Sequence, residues 1–109
     1  MRPAEIPERL YVRGEPWRVV WRSRADRTWR DEHAWGITYH DEREIHLADE
    51  LRHCPSKLQE TWLHELLHAC FPPSGRARRG VSHRHEEALI DEVSPYLALA
   101  LNQTGWSKP

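Results

Sequence analysis

In the run His64-Glu65-Leu66-Leu67-His68, two imidazoles stand four residues apart, so on a helix they project side by side and can grip one metal ion. Glu65 falls between them, where a water on that ion would meet a base. The chemistry this pattern points to is metal-assisted hydrolysis, with zinc as the ion that such nitrogen and carboxylate donors favour. The flanking residues Thr61-Trp62-Leu63 and Ala69-Cys70-Phe71 continue a helical pattern. Leu58, Trp62, Leu66, Ala69 and Cys70 are spaced to bury one face of that helix, and His64 and His68 occupy a neighbouring one.

A hydrolytic zinc site takes three protein ligands and leaves a position for water. The third ligand is sought downstream, where Ser82-His83-Arg84-His85-Glu86-Glu87-Ala88-Leu89-Ile90-Asp91 opens a second helical pattern with Ile90, Val93, Leu97 and Leu101 as its apolar stripe. Glu87 and Asp91 share a face, which makes Glu87 the leading ligand and Asp91 an acceptor for the far nitrogen of a metal-bound histidine. Glu86 competes for the ligand role, since it falls one turn before Ile90, and so do His83 and His85. A third histidine six residues after His68 is excluded, because that position is Ser74. Amide hydrolysis would use Glu65 to take the proton of water and pass it to the leaving nitrogen. A second electrophile for the transition state has several sources: Tyr39, His40, His83, His85, Tyr96 or an arginine of the 76–79 segment.

The elements that must position these groups read as strands first and helices second. Arg9-Leu10-Tyr11-Val12 and Trp17-Arg18-Val19-Val20-Trp21 are β-branched and aromatic, separated by Arg13-Gly14-Glu15-Pro16, and predict a hairpin. Ala34-Trp35-Gly36-Ile37-Thr38-Tyr39 and Glu44-Ile45-His46-Leu47 make a second pair around His40-Asp41-Glu42-Arg43. The fold class expected is α+β: a small antiparallel sheet of about four short strands, followed by two packed helices that carry the zinc site. The sheet should back the metal-bearing helix, with Glu44 to Leu47 as an edge on which an extended peptide could lie. Pro55-Ser56 starts the first helix and Pro72-Pro73-Ser74-Gly75 ends it. Of the 6 Trp, Trp17, Trp21, Trp35 and Trp62 read as core, whereas Trp29 and Trp106 sit in polar surroundings. His33, His40, His46 and His53 read as surface residues.

The chain of 109 residues suits one domain, 1–109, with no internal repeat and little wall for substrate recognition. With 16 basic and 17 acidic residues the net charge is −1, so no overall field draws it to a membrane or to nucleic acid. No run is apolar enough to span a bilayer, and Met1-Arg2-Pro3-Ala4-Glu5 lacks the apolar stretch of a secretion signal, so a cytoplasmic location is expected. Cys54 and Cys70 read as reduced thiols, with Cys70 in the core rather than on the metal. Arg22, Arg24, Arg27 and Arg30 form one basic cluster. Arg76, Arg78, Arg79 and Arg84 form a second, beside the cleft, through which an acidic partner could be steered.

The stretch Thr61 to Cys70, with Glu86-Glu87 and the amphipathic run from Ile90 to Asn102, resembles the gluzincin-type zinc metallopeptidases, in which HExxH on one helix is completed by a Glu on the next. More narrowly it is similar to the very small cytoplasmic metallopeptidases of phages and bacteria, of the ImmA/IrrE and SprT-like kinds. The resemblance covers about a third of the chain. It implies a minimal zincin-like domain with His64, His68 and Glu87 as Zn²⁺ ligands and Glu65 as catalytic base. The activity it implies is hydrolysis of peptide bonds in a dedicated protein partner. The alternative is a regulatory or interaction module of the same fold with little hydrolysis.

Overall fold

The computed structural model describes residues 1–29, 33–71 and 83–103. Four strands, β1 (Arg9–Val12), β2 (Glu15–Arg22), β3 (Gly36–Tyr39) and β4 (Glu44–Ala48), precede two helices, α1 (Pro55–Cys70) and α2 (His83–Gln103). The α+β order expected from the sequence is therefore present. β1 and β2 form a hairpin closed by Arg13 (φ 53°) and Gly14 (φ 79°). Positive φ at both turn residues gives the twist that matches two right-twisted strands, which Gly14 adopts without a steric cost. The expected loop Arg13 to Pro16 is thus shorter, because Glu15 and Pro16 already belong to β2.

The sheet is mixed, not antiparallel: its order is β1-β2-β4-β3, and β4 runs parallel to β2 with Val19 opposite Ile45 and Trp21 opposite Leu47. β3 and β4 form the second antiparallel hairpin, Thr38 opposite Ile45. That hairpin docks with its second strand inward: β3 begins at the end where β2 finishes, Gly36 opposite Leu47 and Leu47 opposite Trp21, and β3 itself carries the chain back to the starting end of β2, from which β4 runs parallel to it. The segment Glu44 to Leu47 is therefore central, and the edges are β1 and β3. Its sequence fits that place, since Ile45, Leu47 and Ala48 are completely buried.

The core lies between the sheet and α1, where Ile45, Leu47, Leu51 and Leu58 are shut off from solvent together with Trp17 and Trp62. Trp29, expected in polar surroundings, is also buried; its indole N–H donates to the Ala34 carbonyl at 3.2 Å, which removes the penalty of enclosing it. Trp21 and Trp35, expected in the core, are half-buried at its rim. Trp106 lies outside the described residues. Cys70 is exposed rather than core, because it closes the last turn of α1, and Leu63 is buried on this helix as well. Both thiols are free.

On α2 the buried stripe is Glu86, Ile90 and Ser94, while Leu89 and Val93 are exposed at 47% and 43%. The expected stripe of Ile90 and Val93 is rotated because Glu86 turns inward to a hydrogen-bonding partner on α1, His68, and successive i, i+4 positions follow it. The side chains of Leu97 and Leu101 lie outside the described residues. Among the described residues no helix is long and apolar enough to cross a membrane.

Candidate metal centre

His64 and His68 stand one turn apart on α1, and α2 crosses so that Glu87 faces both. One donor atom from each of His64, His68 and Glu87 falls within 4.8 Å of the others. The two Nε2 atoms are 3.2 Å apart, and Glu87 Oε1 is 2.9 Å from His68 Nε2 and Oε2 is 3.9 Å from His64 Nε2. For a tetrahedral ion with bonds of 2.0–2.1 Å, ligand atoms lie about 3.3 Å apart. The three donors thus have the spacing that a zinc ion needs.

The outer nitrogens give the same answer by a different route. His68 Nδ1 donates to Glu86 Oε2 at 2.6 Å, and this carboxylate is 1% exposed. His64 Nδ1 lies 3.4 Å from Asp91 Oδ1. With each Nδ1 carrying the proton directed to a carboxylate, each Nε2 presents a bare lone pair to the other and to Glu87. Two lone pairs and a carboxylate meeting at this distance could hold a cation between them, and the donor set fits zinc.

Glu65 is buried yet stands outside this group of three. Its Oε1 accepts a hydrogen bond from Thr38 Oγ1 at 2.8 Å, and its Oε2 lies 3.9 Å from His64 Nε2. The same hydroxyl also reaches the Glu65 carbonyl at 3.0 Å, so β3 fixes this side chain from the edge of the sheet. Burial pushes the Glu65 carboxyl above its ordinary range, against the opposing pull of His64 and of the Thr38 hydrogen bond. Gly36 permits the approach. A Cβ there would fall 2.7 Å from Glu65 Cγ and 2.9 Å from Thr61 Cγ2, so a side chain at this position would displace the carboxylate.

These groups line a cleft of about 720 Å³ between α1, β3 and the start of α2. Its walls include His33, Trp35, Thr38 and His40 from the β3 side and Lys57, Glu60, Thr61, His64, Glu65 and His68 from α1.

The residues named from sequence sort as follows. His64, His68 and Glu87 come together, and Asp91 reaches His64 as the spacing suggested. Glu86, weighed there as a ligand, faces the outer nitrogen of His68 instead of the shared centre. His85 is exposed and outside the cluster, and the side chain of His83 lies outside the described residues. Of the groups proposed as electrophile, His40 lines the cleft, whereas Tyr39 is no part of its wall and packs edge-on against His46 at 4.6 Å. Arg76, Arg78 and Arg79 and the side chains of Arg84 and Tyr96 lie outside the described residues. His46 is not a surface residue: it is half-buried, with Arg22 at 2.9 Å from Nδ1 and Glu44 at 2.9 Å from Nε2.

Sequence reasoning did not find the roles of Thr38 and Gly36. A glycine and a threonine two apart in a strand share a face, and that was the available signal. No family model, curated protein or solved structure matches this chain.

Proposed function

We propose that this protein is a zinc-dependent metallopeptidase of the gluzincin type, acting in the cytoplasm on an extended segment of a dedicated protein partner. The observation that carries this reading is the division of labour among carboxylates: Glu87 joins the two imidazoles, while Glu65 is buried next to them and held off by Thr38. A site built only to hold zinc would have no use for a second carboxylate enclosed at a desolvation cost.

In this reading His64, His68 and Glu87 hold the ion. When bound, it supplies a Lewis acid that polarises a carbonyl and acidifies the attacking water. Glu65 takes the proton from that water and returns it to the leaving amine. Its raised carboxyl suits that task, since burial makes it a stronger base toward the water and keeps the proton on it until the leaving amine takes it. Thr38 keeps the Glu65 Oε1 side occupied and leaves Oε2 toward the imidazoles. His40, on the cleft wall after β3, would meet negative charge on the substrate. The substrate would lie along β3, the open edge beside the cleft, rather than along β4, which both neighbours cover.

Zinc content and hydrolysis of a mixed peptide library by Glu65→Gln and His64→Ala test this. Glu65→Gln should keep about one zinc per chain and lose hydrolysis by a factor on the order of 10² to 10⁴, whereas His64→Ala should lose the metal. The rival reading, a zinc-binding interaction module, would gain if wild type with zinc bound cleaved nothing and Glu65→Gln behaved as wild type in every assay.

A further inference from the structure

The cleft continues past the metal ligands along one face of α1, through Thr61 to Lys57 in the first turn of the helix. There its opposite wall is Trp35, and the Lys57 ammonium stands 4.9 Å from the centre of that ring. The guanidinium of Arg24 stands 4.0 Å from the same ring. Among the described residues, Arg2, Arg18, Arg22, Arg43 and Arg52 each pair with a carboxylate, but neither cation on Trp35 has one within salt-bridge reach. Arg24 Nε is moreover buried without a hydrogen-bond partner.

Two cations sharing one ring repel each other, and the helix end beside them adds to the imbalance. The first turn of α1 carries no acidic residue to complement the positive end of the helix dipole, and Lys57 sits in it. One end of an otherwise acid-rich cleft therefore carries two side-chain cations without an ion-pair partner among the described residues, although the Glu50 carboxylate accepts from the Arg24 backbone N–H at 3.3 Å. Lys57 precedes His64 by seven residues, about 10 Å of helix. An extended peptide covers that in about three residues.

We infer that Lys57 and Trp35 form a subsite for a carboxylate of the bound peptide, about three residues from the position at the metal centre, so that the protein selects acidic segments. Trp35 supplies the apolar wall for the stem of the acidic residue and Lys57 the charge, with Arg24, on the same ring, strengthening the field. Glu60 lines the same wall and opposes this preference. This inference rests on the peptidase reading for the placement of the peptide.

The test uses zinc-loaded Glu65→Gln protein, which holds peptides uncleaved, and fluorescence anisotropy of labelled octapeptides. Each carries Glu, Gln or Lys three residues to one or other side of the central bond, with a free or an amidated C-terminus. In one register Glu should bind about three- to tenfold more tightly than Gln. The preference should shrink at high salt, vanish in Lys57→Gln, invert toward Lys-containing peptides in Lys57→Glu, and grow in Glu60→Gln. An internal Glu favoured in amidated peptides identifies a side chain as the source, and dependence on the free end identifies the terminus. Equal affinity for Glu and Gln peptides at both ends, or a preference that survives Lys57→Glu, would overturn the subsite. Cleavage of neutral peptides by wild type without any acidic preference would remove the subsite and leave the peptidase. An acidic preference in binding with no cleavage by wild type would do the reverse.

Discussion

The two histidines of the centre differ in what steadies them, and the difference sets how each will respond to substitution. His68 is 9% exposed and its Nδ1 is 2.6 Å from Glu86, a carboxylate enclosed at the α1–α2 contact. His64 is 25% exposed, and its partner Asp91, 3.4 Å away, is 66% exposed and shared with solvent. A charge-assisted hydrogen bond gains strength as water is withdrawn. Glu86→Gln should therefore weaken zinc affinity by roughly 10- to 100-fold and Asp91→Asn by less, as read from competition with a chelating dye. A larger loss for Asp91→Asn would show that exposure does not rank the two supports. Glu87 and Asp91 were legible in the sequence because helical spacing alone aligns them. The part played by Glu86 was not, because the rotation of α2 is set by a partner on another helix, and an apolar stripe of Ile90 and Val93 looked at least as good as the polar one that forms.

At the level of elements, the centre is made by two contacts of α1, one with α2 and one with β3. The α1–β3 contact is close only because Gly36 has no side chain. Gly36→Ala should push Glu65 out of its place beside the cluster while leaving His64, His68 and Glu87 on helices that do not include it. The expected result is zinc bound at wild-type stoichiometry with kcat reduced by on the order of 10²-fold, as misplacing a catalytic group by an ångström can produce. Retained zinc with unchanged kcat would mean that Glu65 accommodates the extra methyl without losing its function. The existence and type of all six main elements could be read from periodicity and turn residues, as the β1–β2 and β3–β4 hairpins show. Strand order could not. Each hairpin is a local event, but their side-by-side placement is decided by which strand can be buried on both faces. Only the completed fold reveals that Ile45, Leu47 and Ala48 meet this demand better than the residues of β3.

For the whole molecule, metal and fold are one problem, because the ligands lie on two helices and α2 packs chiefly against α1 through Glu86, Ile90 and Ser94. Zinc held across that contact would act as a clip. Free zinc at 100 times its Kd should stabilise the protein by about 2.7 kcal/mol. For a domain of this size that corresponds to a rise in Tm of roughly 10–20 °C. Hydrogen exchange should report the gain in α2 first. A Tm indifferent to zinc and chelator would separate the cluster from stability and weaken the case for a resident ion. The parallel joint between β2 and β4 has a consequence for how the chain reaches this state. Both hairpins close over short loops, so they can form early and independently, whereas their union joins Val19 to Ile45 across a long stretch of chain. Docking of one hairpin on the other is then the slow event of folding. Until it happens, β2 and β4 each present an unprotected strand edge, which places the period of greatest aggregation risk before α1 has a sheet to pack on.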